Sequence, residues 1–561
     1  MTVGDRLAQL LAESGVDRVF GVPGGQTLPL YEGIRKSNGA ITHVLMRDER
    51  SAGFAADAYA RLTGKLGVCD ATVGPGATNL LSPLAEAHCS SIPMLAIISD
   101  ISRAWEHRRV RGNASQAMEQ LEMFKPVSKW QVTLSQPSAL ENVVDQAIRV
   151  AVSGRPGPVV IAMPDDVGDL DFQWQRRVRP SAEYPRHRSA PDPAQVQVAR
   201  QALTQAKKPV MLVGGGAWTS GADQEVARLA RKLGVPVVTT ITGKGIMAET
   251  DPQVFGVAGT MGNPNANVVV QQADLVFFVG CKAGQLATFG YDSPAYGVTT
   301  IHLDIDPEEI GRNFHDSIAM MGDARLGLAA LLAALEGDTF AYEWELESLR
   351  QKGRQWYDEI TLRPQVPGEP LKAQAVTRLI DEAMQPGDMV VCDASLPSGW
   401  AAAYLRLKEA GRFYLAPRGL AGLGWGAPAA VGAALARPQA KRVLLFAGDG
   451  GFAFSMQEME VMVRLKLPVV VCLFNNNVLG WIKHVQLARY GGNYISSDFN
   501  HIDFATVARG FGARGYTVNT LDELKQALAK ESDPQGPTLI DMRTDEWETP
   551  VLRSVSAESA Y

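Results

Sequence analysis

Residues 446–481 read FAGDGGFAFSMQEMEVMVRLKLPVVVCLFNNNVLGW. Two apolar runs, KRVLLFA (441–447) and LPVVVCLF (467–474), stop abruptly at polar clusters. The first stops at Gly448-Asp449-Gly450-Gly451 and the second at Asn475-Asn476-Asn477. Apolar residues at consecutive positions, rather than alternate ones, predict strands buried on both faces, and hence a parallel sheet layered by helices.

In such a sheet ligands bind at the carboxyl ends of the strands. MQEMEVMVRL (456–465) predicts a helix whose amides and dipole face the glycine loop. Glycines let a backbone approach a phosphate closely, and Asp449 offers a hard oxygen. Neighbouring parallel strands would bring Asp449 and an asparagine carbonyl to one cation, with a backbone carbonyl nearby. Few ligands, all oxygen, suit Mg²⁺ shared with a diphosphate.

The same alternation of β-branched runs and helical patterns continues in VMLVGGG (210–216), VPVVTT (235–240) and DLVFFVG (274–280). Two stretches interrupt it. Residues 168–196 carry Pro180, Pro185, Pro191 and Pro193 among charges, and residues 337–370 end near RPQVPGEP; both read as linkers. The fold class is therefore α/β, with three doubly wound domains: 1–170, 190–335 and 370–545.

Bulk properties bound the partners. The 561-residue chain is 46% hydrophobic and 20% charged with a formal charge of -6, so neither a nucleic-acid face nor an anionic membrane is expected as partner. Five single cysteines without metal spacing predict buried thiols in a reducing compartment. MTVGDRLAQLLAESG opens as an amphipathic helix, not a secretion signal, and a cytoplasmic enzyme is expected.

The glycine–aspartate loop, 24 residues and then Asn-Asn resemble the thiamine diphosphate (ThDP) motif. VLMRDERSAGFAADAYAR (44–61) and ATVGPGATNLLSPLAEAHCSSIPML (71–95) resemble the pyrimidine-binding domain of ThDP enzymes. RPGPVVIAMPDDV (155–167), LGVPVVTTITGKG (233–245), HLDIDPEEIGRN (302–313) and GLAGLGWGAPAAVGAALA (419–436) resemble the acetolactate synthase branch. The resemblance implies pyrimidine-binding, central and diphosphate-binding domains, and a cofactor lying between the first domain of one subunit and the third of another. A homodimer or homotetramer is then expected.

By that resemblance Glu49 is the carboxyl group that promotes the imino tautomer of the cofactor's aminopyrimidine, which takes the proton from thiazolium C2. Leu423 is the apolar wedge under the bent cofactor, and the Ala421 carbonyl receives the aminopyrimidine's amino group. Pro23, Gly24, Pro75 and Asn79 match pyrimidine-pocket positions. Gln116, upstream of KPVSKW, matches an active-site glutamine. Asp449, Asn476 and the Val478 carbonyl match the metal ligands, while Gly450, Gly451 and Ser395 match diphosphate contacts.

Several positions depart from the branch. Leu396-Pro397 stand where Gln-His is usual, Asp165 replaces a lysine, GCKAGQLATFG (280–290) replaces an arginine-rich FAD motif, and Val485 replaces a tryptophan. VGGGA (213–217) lacks the full dinucleotide fingerprint, so FAD is left open. The arginines of RAWEHRRVRG (103–112) suit anions or a solvated loop, and His484 suits a substrate entrance or a helix surface. ATVGPGATN has no histidine to supply the proton that releases an aldehyde, which modestly favours carboligation.

The expected activity is ThDP- and Mg²⁺-dependent decarboxylation of a 2-keto acid donor, followed by attack on a second carbonyl. A simple decarboxylase of the benzoylformate or oxalyl-CoA type and a non-catalytic ThDP-binding protein are the alternatives.

Overall fold

The structure, a computed structural model, describes residues 1–173 and 181–550. Its three domains are α/β, each built on a six-stranded parallel sheet. The first sheet contains β1 (Arg18–Gly21), β2 (Thr42–Leu45), β3 (Gly67–Ala71), β4 (Met94–Asp100), β5 (Trp130–Thr133) and β6 (Pro158–Pro164). The second contains β7 (Pro209–Val213), β8 (Val237–Thr239), β9 (Val254–Val257), β10 (Leu275–Val279), β11 (Thr299–Asp304) and β12 (Ile318–Met321). The third contains β13 (Met389–Cys392), β14 (Tyr414–Leu415), β15 (Val443–Gly448), β16 (Val469–Asn475), β17 (Arg514–Val518) and β18 (Thr538–Arg543).

The order is β2-β1-β3-β4-β6-β5 in the first sheet and β14-β13-β15-β16-β18-β17 in the third, so the outer domains share one topology. The middle sheet, β12-β11-β10-β7-β8-β9, has the strand order of dinucleotide-binding folds. Its switch point lies between β7 and β10. There Gly214 and Gly216 press on the backbone of Gly280, where a side chain would clash.

The long runs are buried as the continuous apolar pattern requires: β4 and β16 have every residue inside. By compactness the chain forms two units. One joins residues 1–187 to 417–439 and 455–467; the other comprises 188–416, 440–454 and 468 onward. In the first unit the helix Gly426–Ala436 lies against the helix Glu49–Thr63. Their backbones approach so closely that a Cβ on Gly432 would sit 2.2 Å from the Ala55 carbonyl oxygen. Alanine and glycine permit that approach, and a larger residue at 432 would force the helices apart.

Three expectations change. Residues 337–370 are not simply a linker, because Leu346–Thr361 form a helix. Leu349 and Tyr357 are buried while Trp356 and Ile360 pack on the core of the third sheet, a helical spacing hidden among charges. The helix expected from MQEMEVMVRL starts only at Glu458, preceded by the separate turn Asp449–Phe452. Of the five cysteines, Cys89 is only half-buried; the other four are buried. Part of the proline-rich stretch at 168–196, residues 174–180, lies outside the described residues. Among the described residues no helix is long and apolar enough to cross a membrane.

Candidate active site

In the first unit the tips of β2, β1 and β3, adjacent in the sheet, present three of the predicted stretches. Pro23 and Gly24 follow β1, Glu49 follows β2, and Pro75–Asn79 follow β3. Asp48 caps the helix Glu49–Thr63 by accepting from the Arg50 amide at 2.7 Å, which sets Glu49 in its first turn. Glu49 Oε2 accepts from Asn79 Nδ2 at 2.9 Å. Its Oε1 lies where a Cβ on Gly76 would be 3.0 Å away, so glycine leaves that oxygen its room.

Gly24 presses on Thr72, whose hydroxyl would be 2.3 Å from an added Cβ, and Thr72 donates to Gln26. Gln116 has the left-handed backbone angle φ 64° and packs its carbonyl and Cβ against Gly74. Neither Glu49 with Asn79 nor Gln116 with Gly74 could be paired from spacing alone.

Ala421 also has a left-handed φ, 58°, and Leu423 is half-buried beside Gly424 at φ 82°. The loop before them is held by a group that the sequence motifs do not flag. Glu86 Oε1 accepts from the Gly419 amide at 3.0 Å, and Oε2 accepts from Leu420 at 2.7 Å and Ala421 at 2.9 Å. Ser90 Oγ and Arg61 also donate to Oε1. Arg61 in turn pairs with Asp57 at 2.9 Å, and Trp425 Nε1 donates to the same carboxylate at 2.9 Å. Burial alone raises carboxyl pKa values; Arg61 and the amides nevertheless hold Glu86 below the ordinary range, while burial pushes Asp57 up to about 6.

Two further acids stand near Glu49. Glu458 is buried, accepts from the Arg47 amide, and has its carboxyl pushed by burial up to about 7. Asp70, in β3, is buried and pairs with His43 Nε2 at 3.0 Å.

The second unit carries the other predicted cluster. β15 pairs with β16, with Gly448 opposite Phe474, so Asp449 and Asn475–Asn477 leave the sheet side by side. Asp449 is 4% exposed, and burial pushes its carboxyl up to about 6 despite backbone N–H donors. Asn476 Oδ1 accepts from the Val478 amide at 3.3 Å. The same oxygen faces Asp449 Oδ1 at 3.3 Å and the Val478 carbonyl at 3.2 Å, contacts that become hydrogen bonds only with the amide turned over. Asp449 Oδ1 and the Val478 carbonyl oxygen thus both stand within reach of the Asn476 amide, and oxygens of this kind suit a hard cation. Among the described residues no group of three or more His, Cys, Asp or Glu side chains could hold a metal.

Around that point, Gly450 faces Phe499 and Leu479, and Gly451 is buried. Ser395 lies just past β13, the neighbour of β15, at φ 70°. Leu396 and Pro397 line Gly480 and Gly448, so the two departures from the usual Gln-His give this region an apolar wall. His484 Nε2 meets the Glu546 carbonyl at 2.8 Å. Of the arginines at 103–112, Arg109 pairs with Asp100 and Glu106, and Arg103 with Asp166, which leaves less of that cluster for anions.

Three family models match: the N-terminal TPP binding domain of thiamine pyrophosphate enzymes over residues 1–123, the central domain over 196–331, and the C-terminal TPP binding domain over 393–542. The chain is 31% identical to a probable acetolactate synthase large subunit of Methanococcus aeolicus, with 97% of this chain and 92% of the relative covered.

The chain belongs to the thiamine pyrophosphate enzymes, in the acetolactate synthase branch.

An acetolactate synthase large subunit of Parasynechococcus marenigrum is 35% identical, covering 96% of this chain and 86% of the relative. An acetolactate synthase of Arthrospira platensis is 33% identical, covering 96% and 93%. Thiamine diphosphate is thus the cofactor of this family member; the N-terminal TPP binding domain contains Glu49 and Asn79, and the C-terminal one contains Ala421, Leu423, Asp449 and Asn476.

Proposed function

We propose that this enzyme decarboxylates a 2-keto acid, with pyruvate as donor, and joins the product to a second carbonyl, giving an acetohydroxy acid or 2-hydroxyketone. The observation that carries the reading is the Glu49 carboxylate, set in the first turn of its helix and bonded to Asn79 at 2.9 Å, with one oxygen beside a glycine. Whole-length similarity to acetolactate synthases supports the carboligating outcome.

When bound, thiamine diphosphate supplies the C2 carbanion and the electron sink for loss of CO₂. Glu49 holds a proton against the far nitrogen of the aminopyrimidine, and Asn79 keeps its carboxylate from rotating away. The Ala421 carbonyl would receive the amino group, Leu423 would pack beneath the cofactor, and Pro23, Gly24 and Pro75 would shape the ring pocket. Gln116 faces the substrate.

Asp449, Asn476 and the Val478 carbonyl would hold Mg²⁺, and Gly450, Gly451 and Ser395 would meet the phosphate oxygens. With one carboxylate among these residues, the protein would leave much of the countercharge to the diphosphate. A homodimer or tetramer supplies complementary centres from different subunits. The dinucleotide-type strand order of the middle sheet supports a nucleotide there, and an absorption spectrum tests for FAD.

The deciding experiment incubates the protein with pyruvate, ThDP and Mg²⁺ and resolves products by mass spectrometry. A C–C-coupled acid or hydroxyketone is expected. Acetaldehyde as sole product would make it a simple decarboxylase, and C2 proton exchange no faster than in free ThDP would make it a binding protein.

A further inference from the structure

The geometry points to Glu86 as a positioning residue for the reaction: its carboxylate fixes the backbone that presents the Ala421 carbonyl. The inference rests on the role given to Ala421 above.

Three consecutive amides, those of Gly419, Leu420 and Ala421, converge on the Glu86 carboxylate at 3.0, 2.7 and 2.9 Å. Successive N–H groups around one anion form a nest, and the anion sets the peptide planes it receives, here up to 420–421, so the Ala421 carbonyl stands one backbone rotation beyond the last plane held. Here the anion is part of the protein. It is 1% exposed, so water does not compete for the amides. It is also held from behind, because Ser90 Oγ donates to Oε1 at 2.7 Å and Arg61 at 3.0 Å.

Arg61 is itself fixed by Asp57 and lies over the Trp425 ring at 5.2 Å. Trp425 lies just beyond Leu423 and donates to Asp57 at 2.9 Å. The loop carrying both Ala421 and Leu423 is therefore tied at each end to one buried ionic cluster. The tie matters most at Ala421, a residue with a side chain held at φ 58°. Without the anion those three amides lose their common acceptor.

A carbonyl that must meet one amino group tolerates little displacement, since a shift approaching 1 Å costs on the order of 10²-fold in rate. The test uses the full chain with ThDP and Mg²⁺ and compares native protein with Glu86→Gln, Glu86→Asp and Glu49→Gln. Three quantities are read: ThDP affinity, C2 proton exchange at saturating ThDP, and the circular dichroism band of the bound aminopyrimidine.

Glu86→Gln keeps the shape but removes the charge. Expected are exchange and kcat lower by about tenfold to a hundredfold at saturating ThDP, a diminished imino-form band, and ThDP affinity within about threefold of native. Glu86→Asp restores the charge for Arg61 but withdraws the oxygens from the amides, and is expected to fall between. If Glu86→Gln does not fold, Glu86→Asp carries the test with about three- to tenfold slower exchange.

Native exchange in the folded Glu86 variants overturns the assignment. So does a defect confined to ThDP affinity that vanishes at saturation, because that marks a structural role alone. Glu49→Gln separates the two readings: unimpaired exchange there removes the proposed function, whereas a loss there with native Glu86 variants removes only this inference.

Discussion

Asp449, Asn476 and Val478 come from one short stretch and one pair of adjacent strands, while Glu49, Asn79 and Ala421 come from stretches scattered between the first sheet and residue 421. The first cluster has a single carboxylate and a backbone carbonyl. In the second, Asp57, Arg61 and Glu86 hold the loop that carries Ala421, and Glu458 accepts from the Arg47 amide near Glu49; all four are buried. Binding a metal diphosphate needs oxygens at strand ends, and the ligand brings most of the charge. Polarising a neutral ring needs a carboxylate held at one angle, and holding it takes a scaffold. The diphosphate end should therefore fail in affinity, and the pyrimidine end in rate.

The largest effect expected is at Glu49. Glu49→Gln should lower kcat by about 10²- to 10⁴-fold, the range of general acid–base contributions, with ThDP affinity nearly unchanged. Steady-state kinetics and a ThDP titration check it, and a near-native kcat ends the assignment. Asp449→Ala should do the reverse. It should weaken Mg²⁺-dependent ThDP binding on the order of 10²- to 10³-fold, above the 10- to 100-fold typical of outer-shell partners, with much of kcat recovered at saturation. Unchanged cofactor affinity would show that Asp449 is not a metal ligand.

How much of this was legible from residues follows from the same contrast. Parallel strands in register turn sequence spacing into spatial proximity, so Asp449 and Asn476 could be placed together from two apolar runs. The three sheets were legible for the same reason. Glu86 was not, because its partners are backbone amides more than 300 residues away, and LSPLAEAHCS looks like any buried helix. Asp57 and Arg61, one turn apart on an apolar helix, were the available signal: a buried ion pair on a helix requires a further partner. The helix Leu346–Thr361 was hidden because its buried face is narrow and its flanks are charged.

The pyrimidine end should also respond to pH through Glu458, which receives the Arg47 amide two residues before Glu49. Its carboxyl rises from 4.5 to about 7, because burial penalises the charged form. The native state then holds this proton more tightly than the unfolded chain does. Its contribution to stability is full below about pH 4.5 and is lost as pH rises through about 7. The shift bounds the loss at about 3 kcal/mol. Glu458→Gln, which cannot ionise, should flatten that decline, so its melting midpoint relative to native should be higher at pH 8 than at pH 5. Parallel midpoint curves would show that Glu458 does not set this dependence. A matching substitution at the diphosphate end is not informative, since Mg²⁺ itself would hold Asp449 ionised.

The smallest effects distinguish the two ends most sharply, because they add one methyl group to each. A Cβ at Gly76 lies 3.0 Å from Glu49 Oε1 and 3.0 Å from a Thr72 methyl carbon. A Cβ at Gly450 lies 3.0 Å from the Phe499 ring and 3.1 Å from a Leu479 methyl. Steric crowding is thus nearly equal, but what yields differs. At Gly450 the neighbours are the far ends of side chains that can swing aside, and the methyl then occupies space that the proposed function gives to phosphate. Gly450→Ala should weaken ThDP binding by about threefold to tenfold and leave kcat at saturation within about twofold. At Gly76 the neighbour is the carboxylate oxygen itself, on a side chain that Asn79 holds from the other side. A displacement of a few tenths of an ångström is forced onto the proton-sharing group, so Gly76→Ala should lower kcat by about threefold to tenfold with ThDP affinity retained. If both variants lose affinity, or both lose rate, the division of labour between the two ends is wrong even where each residue assignment survives singly.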